Sequence, residues 1–383
     1  MKMLQEMNEQ HEMTRQAVRR FAENEIAPLA EHLWEQQEFP YAMWKRAGEL
    51  GFLGLPYPER YGGGGGNWLG FTIVLEEIAR VDCAVAASLM ANSTPASLIN
   101  NYGTEEQKQR YLRPILEGTQ IGCIGLTEPN AGSDAANIQT RAVMRDGRWI
   151  INGSKIFISN SGTDITGPVV IAAVTGTRPD GRKEISNFIL PDGTPGFTYG
   201  RKLHKIGWRG STTYELFFED CTLTDEHLLG QIGVGLKQTL SNINTGRILI
   251  GALALGILQS SLERSTVYLK QRKAFGKLLA EFQALQFKIA DMATHAQAAR
   301  LMLYDAAWRK DKGLSCDREA SMAKLFATER AMEAAHQAIQ IHGGNGIMVE
   351  YPVSRAFGDA KVLEIVEGTS EIQRMIISRE FLR

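Results

Sequence analysis

A chain of 383 residues, 44% hydrophobic and 22% charged, has the balance of a globular protein too long for one ordinary core, so two or three packed units are expected. Its 42 basic and 43 acidic residues leave a net charge of −1, which gives no electrostatic reason to expect nucleic acid as a partner. The four cysteines (Cys83, Cys123, Cys221, Cys316) include no C-x-x-C pair; that argues against a zinc site or disulfide framework and suits a reducing compartment.

The N-terminal stretch MKMLQEMNEQHEM is polar and resembles neither a signal peptide nor an Arg-rich transit peptide. A cytoplasmic location is expected, or the mitochondrial matrix if a presequence has been removed. From there to residue 120 the pattern is helical. Apolar residues recur at three- and four-residue spacing over 17–30, 43–50 and 69–78, and Thr104 to Gln107 (TEEQ) is a capping box opening a helix to Leu116. Tyr61 is followed by five glycines, Gly62 to Gly66. Such a run could cradle a phosphate, but it lacks the Lys-Ser/Thr ending of a P-loop and follows no strand, so a flexible surface loop is the preferred reading.

Between residues 121 and 233 the texture becomes β. The run TRAVMRDGRWIINGSKIFIS alternates apolar and polar residues, with turns expected at Asp146-Gly147 and Asn152-Gly153. VVIAAVTG, ISNFILP and TTYELFFEDCTL are further strand-like runs. Short strands at close spacing predict a small barrel or sandwich. Helical periodicity then returns in four segments: 236–242 running into 247–271, then 280–311, 316–341 and 369–382. The most apolar stretch, Ile248 to Leu258, is about half of what a membrane span requires, so no membrane insertion is expected. The fold class is therefore α+β: an N-terminal helical domain (1–120), a middle β domain (121–233) and a C-terminal four-helix bundle (234–383).

Several common chemistries are excluded. No G-x-G-x-x-G follows a strand, and there is no Walker motif, no G-x-S-x-G and no H-E-x-x-H. The seven histidines show no metal-ligand spacing, and His204, His227, His295 and His336 read as solvent-facing or structural. No metal is expected.

Five local patterns remain. TEPNAGSD (Thr127 to Asp134) lets backbone N–H groups and the hydroxyls of Thr127 and Ser133 approach an acceptor-rich ligand, or is simply an Asx-type turn. NGSKIFIS (Asn152 to Ser159) is a hairpin turn leading into a strand that puts Phe157 and Ser159 on one face and Ile158 on the other. That pair suits a flat heteroaromatic ring, although core packing alone would explain Phe157. RKAFGK (Arg272 to Lys277), with Gln283 following, could bind pyrophosphate and stack on a ring, or be a basic helix end answering the macrodipole. QIHGGNG (Gln340 to Gly346) has three glycines where a helix cap needs one. EGTSEIQ (Glu367 to Gln373) sets a carboxylate at the mouth of a helix that Thr369 or Ser370 can cap; on this motif alone dipole compensation would be the simpler reading.

Each pattern is weak singly, but their order across the whole chain, YGGGG, TEPNAGSD, NGSKIFIS, RKAFGK, QIHGGNG and EGTSEIQR, resembles the acyl-CoA dehydrogenase family. That resemblance implies a helix–sheet–helix subunit assembling as a homotetramer, with FAD between the middle and C-terminal domains and reaching a subunit interface. It implies flavin contacts at Ile124, Leu126, Thr127, Gly132 and Ser133, and at Phe157, Ile158 and Ser159. Arg272, Lys273, Ala274, Phe275 and Gln283, with Gln340, Gly343 and Gly344, would reach a neighbouring subunit's FAD, and Thr369 and Glu371 would complete the contacts. The acyl-CoA substrate would meet Ser133, Asn244, Arg247 and Gly368. Two positions depart from the family pattern: Phe157 stands where many members have Trp, and Asn130 where many have Gly.

The family's reaction removes an α-proton and a β-hydride from an acyl-CoA thioester. A carboxylate is a poor base for so weak an acid, so the carbonyl must be polarised and the base desolvated. The resemblance makes Glu367 the base. Some members instead carry it on the helix with the NTGR segment, where this chain has Gly246. Electrons would pass to an electron-transferring flavoprotein. The alternatives are an enoyl-CoA reductase, an acyl-CoA oxidase or a non-catalytic CoA-thioester-binding protein.

Overall fold

The computed structural model describes residue 3 and residues 6–382; the rest of the polar N-terminal stretch and Arg383 lie outside the described residues. The N-terminal part holds helices α1 (Glu9–Phe21), α2 (Ala30–Gln36), α3 (Tyr41–Glu49), α4 (Trp68–Ala79), α5 (Cys83–Tyr102) and α6 (Arg113–Glu117). Asn67 and Asp82 cap α4 and α5, accepting the N–H groups of Gly70 at 2.8 Å and Val85 at 2.9 Å. The capping box at Thr104 is present as expected.

The glycine run is a correction. Its five N–H groups donate to the carbonyls of Glu59, Pro58, Gly54, Tyr57 and Leu55, and a Cβ on Gly63 would lie 2.2 Å from the Tyr57 carbonyl oxygen. The loop is hydrogen-bonded and closely packed. Its donors are already matched, so neither a flexible loop nor a phosphate cradle describes it.

Strands β1 (Ile121–Gly125), β2 (Arg141–Arg145), β3 (Arg148–Ser159), β4 (Thr166–Thr177), β5 (Lys183–Leu190), β6 (Phe197–Lys202), β7 (Thr213–Leu223) and β8 (Leu228–Leu229) form one mixed sheet. Its order is β6-β7-β3-β2-β4-β5-β8, with β1 pairing parallel to β4. Asp146-Gly147 is the expected β2–β3 turn, both residues having positive φ. Asn152-Gly153 is not a turn: it is a bulge inside the twelve-residue β3. A Cβ on Gly153 would meet Thr140 Oγ1 at 2.6 Å, so glycine here answers a close backbone approach, which sequence alone cannot tell from a turn.

The C-terminal part comprises α7 (Gly235–Gln271), the two-residue strands β9 (Lys273–Ala274) and β10 (Lys277–Leu278), α8 (Gln283–Asp311), α9 (Asp317–His342), α10 (Pro352–Leu363) and α11 (Ser370–Leu382). Helix α10 is an addition to the four expected segments. It opens on Pro352, a residue favoured at the first helical position but easily read as a loop marker. Residues 246–258 of α7 are buried on every side, the signature of a central core helix. By length and composition α7 could cross a bilayer, but 89% of its most apolar window is buried inside the fold.

The helices before and after the sheet share one hydrophobic core, while the sheet keeps its own around Trp149, Phe188 and Phe218. A buried charge cluster fastens the two helical parts: Glu76 accepts from Arg300 at 2.8 Å and from the Tyr304 hydroxyl, and Glu77 pairs with Arg19 at 2.9 Å and with Arg15.

Candidate active site

Helix α10 ends at Leu363 and α11 begins at Ser370, with Thr369 Oγ1 accepting the Ile372 N–H at 3.4 Å. Glu367 sits in the connecting turn in the left-handed region (φ 53), followed by Gly368 (φ 91). A non-glycine residue there stores about 1–3 kcal/mol of strain and persists only where neighbours enforce it. Enforcement is visible. Gln373 Nε2 donates to the carbonyls of Glu367 (3.2 Å) and Gly368 (2.8 Å), and the wholly buried Lys324 donates to Gly368 (2.9 Å) and Glu364 (3.3 Å).

The Glu367 side chain reaches toward α7. A Cβ built on Gly246 would lie 2.8 Å from Glu367 Oε2, so the glycine leaves room for the carboxylate. One residue on, Arg247 is buried; it donates to Asn244 Oδ1, and its Nε has no partner among the described residues. Although part of Glu367 remains accessible, desolvation raises its pKa to about 7, against the lowering pull of Arg247 and Lys324. Its backbone N–H makes no hydrogen bond among the described residues and is free to polarise an acceptor.

On the sheet side, the loop after β1 is held from beneath. Glu128 accepts the N–H groups of Gln139 (2.5 Å) and Thr140 (2.9 Å) and pairs at 2.7 Å with Lys155, whose side chain is fully buried and also donates to the Leu126 carbonyl at 3.2 Å. The Glu of TEPNAGSD is thus a scaffold, and the Thr127 carbonyl accepts the Ile156 N–H at 3.0 Å. Ile124 and Leu126 are half-buried against the core, while Gly132 and Ser133 face solvent. On β3 the exposures expected of Phe157 and Ile158 are found, but they arise at a bulge between Lys155 and Ile158 rather than from plain alternation. Ile158 is buried, whereas Phe157 is 64% exposed with φ 63, so core packing does not explain Phe157. Beside Ser159, the Asn160 N–H donates to the Thr212 carbonyl, and the hydroxyls of Ser211 and Thr212 are buried without partners among the described residues. The same loop reaches the C-terminal part, where the Trp208 N–H donates to Asp359 on α10 at 2.5 Å.

The other two motifs lie elsewhere. Arg272 caps the far end of α7, 26 residues and hence about 39 Å along the helix from Gly246. At that end β9 and β10 form a hairpin with Phe275 at its tip, 95% exposed and in the left-handed region (φ 52). Gln340, Gly343 and Gly344 are beside it: the Tyr268 ring stacks on His342 at 4.2 Å, and Asn345 donates to the Tyr268 hydroxyl at 3.1 Å. Lys273 and Gln283 are exposed and Ala274 half-buried at the same end. One chain therefore holds two separate clusters, and RKAFGK does not reach its own Glu367. Three of the five motifs place a non-glycine positive φ at the residue proposed to touch a ligand (Phe157, Phe275, Glu367). Sequence reading missed Lys155, Lys324 and Gln373, all buried polar side chains on regular elements; a lysine on an otherwise alanine-rich helix face was the available signal for Lys324.

A desolvated carboxylate beside an unmatched backbone donor is a candidate site for acid–base chemistry, and Phe157 adds an uncovered ring on the sheet side. The chain matches the family descriptions "Acyl-CoA dehydrogenase, N-terminal domain" over 8–119, "middle domain" over 123–221 and "C-terminal domain" over 233–382. It is 47% identical to a probable acyl-CoA dehydrogenase of Bacillus subtilis over 99% of both chains, and 43% identical to a short-chain specific acyl-CoA dehydrogenase of Clostridium acetobutylicum over 98% and 99%. Among solved structures, butyryl-CoA dehydrogenase from Megasphaera elsdenii matches with a TM-score of 0.95 and 40% identity. A chain in work on the electron transferring flavoprotein of Acidaminococcus fermentans matches with 0.95 and 42%; each match covers 98% of this chain and 99% of the other. The chain belongs to the acyl-CoA dehydrogenase family, FAD-dependent enzymes acting on acyl-CoA. Its residues fit that cofactor: Phe157 offers an uncovered ring, the Ser211 and Thr212 hydroxyls lack partners among the described residues, and Gly132, Gly343 and Gly344 have open space where a Cβ would stand.

Proposed function

We propose that this protein oxidises the Cα–Cβ bond of a short, uncharged acyl-CoA to the trans-2-enoyl-CoA, with Glu367 as the base. The observation that carries this reading is the Glu367 carboxylate, desolvated against Gly246 and followed by a backbone it shares with a free N–H. That N–H would donate to the thioester oxygen, where enolate charge develops as the carboxylate removes the α-proton. Bound FAD supplies the hydride acceptor. Thr127, Phe157 and Ser159 would position its ring, Asn244, Arg247 and Ser133 would hold the CoA moiety, and Gly368 would let it approach the turn. Similarity to a chain from the electron transferring flavoprotein work supports such a flavoprotein as the electron acceptor. Anaerobic mixing of the FAD-loaded protein with butyryl-CoA should bleach the flavin absorbance. A base acts only when deprotonated, so kcat/KM should rise with pH through about 7 and fall below it. A flavin that stays yellow with every short acyl-CoA, or activity undiminished well below that pH, would reject the assignment.

We infer further that Arg272, Lys273, Ala274, Phe275, Gln283, Gln340, Gly343 and Gly344 serve the FAD of a neighbouring subunit in a homotetramer, with Thr369, Glu371 and the segment around Ile124, Leu126, Gly132 and Ile158 completing each site. Two observations support it: the length of α7 between the clusters, and exposed apolar side chains on the C-terminal bundle, among them Phe275, Phe287 and Ile347. Arg272→Ala should lower FAD content and weaken association together, since a charge-assisted phosphate contact is worth about 1.5–3 kcal/mol. Size-exclusion read with flavin absorbance checks this; full flavin occupancy in the variant counts against it.

A further inference from the structure

Lys324 stands in α9 on a buried face built of Ala320, Ser321, Ala323, Ala327, Thr328 and Ala331, and its side chain is fully buried. Its ammonium is not in a salt bridge among the described residues. It spends two of its three donors on the carbonyls of Glu364 and Gly368, the residues that bracket Glu367 on either side. Resting on the assignment of Glu367 as the base, we propose that Lys324 is a positioning residue that locks the strained Glu367 turn and, with Arg247, supplies positive charge that favours the ionised carboxylate.

Two features favour a charged role over simple packing. A neutral donor could satisfy the same carbonyls at far smaller desolvation cost, because burying an ammonium without a carboxylate in contact is expensive. And the clamp closes on a turn that needs one. Glu367 and Gly368 both have positive φ, and Gln373 already holds the Glu367 and Gly368 carbonyls from α11, so Lys324 adds a hold from the opposite helix, including the Glu364 carbonyl that Gln373 does not reach. The charges facing this locality are Arg247 from α7, Lys324 from α9, Glu364 at the end of α10, Glu367 in the turn and Glu371 in the first turn of α11. Burial lowers the Lys324 pKa to about 8, opposed chiefly by Glu367 and then Glu364. Glu367 in turn is pulled down by Arg247 and by Lys324. With Lys324 neutral, Arg247 alone would oppose the desolvation of the base.

The test uses the FAD-loaded protein with butyryl-CoA. Lys324→Met removes charge and donors at similar length. Its acid limb of kcat/KM should move up by about one pH unit, the scale expected for losing one nearby opposite charge, with kcat near neutral pH falling about tenfold and KM little changed. Lys324→Arg keeps the cation and should hold the limb near wild type, whereas a packing role would lower thermal stability in each variant without moving any limb. If Lys324→Met does not fold, Lys324→Gln, neutral yet still able to donate, is read the same way. An unmoved acid limb in a folded neutral variant, or an equal shift in Lys324→Arg and Lys324→Gln, overturns the inference. Glu367→Gln run alongside separates the two readings: if it still bleaches flavin the base assignment fails, and if it is inactive while the limb stays put, only Lys324's role fails.

Discussion

Glu367→Gln is expected to keep the fold and the yellow flavin and to bind thioester, yet to lose anaerobic bleaching by about 10⁴-fold or more. The amide is nearly isosteric with the carboxylate that packs beside Gly246, so the space between α7 and the turn stays filled. It removes the proton acceptor and leaves the backbone donor: the residue 367 N–H, unmatched among the described residues, would still reach the thioester oxygen. Acid–base groups ordinarily contribute about 10²–10⁴-fold, and the upper end applies where no second base can substitute. On α7 none is in place, because Gly246, which leaves room for the carboxylate, has no side chain and its immediate neighbour Arg247 is a cation. Gln373 and Lys324 hold the turn through main-chain carbonyls, so the substitution should leave the backbone where it is. Thermal stability should change little or fall slightly, since the buried Lys324 and Arg247 lose the opposing charge that Glu367 supplies. Stopped-flow flavin absorbance with butyryl-CoA is the measurement, and reduction at near wild-type rate would falsify Glu367 as the base.

What the sequence made legible divides along physical lines. Periodic elements were readable because burial on one face imposes spacing: α9 carries its buried residues at three- and four-residue intervals, which needed no tertiary knowledge. Glycines were ambiguous because the same residue serves a positive φ and a close approach. Gly147 is a turn and Gly153 makes room for Thr140, yet each follows an Asp or Asn in a turn-like context, while Gly63 lies under the Tyr57 carbonyl. Helix α10 was hidden by its opening Pro352, and the sharing of one core by the first and last helical parts by the long sheet segment between them. At the site, motif residues were found because they stand in unusual local sequence. Lys155 and Lys324 were not, because a buried lysine differs from a surface lysine only in what surrounds it, and that is decided by partners 27 and 40–44 residues away along the chain. The separation of RKAFGK from its own Glu367 likewise came from the uninterrupted length of α7, where the Asn242–Arg247 segment could have been a break.

The second large effect expected is on substrate charge: kcat/KM for butyryl-CoA should exceed that for glutaryl-CoA by at least about 100-fold. Helix α5 lies against the stretch of α7 that meets the base, since Asn242 Nδ2 donates to the Thr94 carbonyl at 2.9 Å one turn before Gly246. An acyl chain leaving the Glu367 carboxylate between these helices would meet α5. From Cys83 to Tyr102 that helix carries no charged residue, and the segment Ala86–Leu98 is buried at all but one position. Its polar groups are already engaged or short: Asn92 bonds the Ile115 carbonyl and the Gly122 N–H, and Ser93 bonds back to Met90. On α7 the cation near the base is Arg247, which faces Glu367 and the Asn244 side chain. A distal carboxylate would thus be desolvated without a partner, at a cost of several kcal/mol, while a butyryl methyl gains from the same burial. Since about 1.4 kcal/mol is tenfold in rate, even a partly relieved penalty gives the stated ratio. Placing a cation on this face, as in Ala86→Arg, should narrow the ratio by raising glutaryl-CoA turnover and lowering that of butyryl-CoA, provided the arginine is accommodated beside the fully buried α4–α5 core. Steady-state comparison of butyryl-, hexanoyl-, isobutyryl- and glutaryl-CoA on the wild type decides the matter without the variant: a preference for glutaryl-CoA would mean that a cation outside α5 reaches the acyl end, and the uncharged-substrate assignment would be wrong.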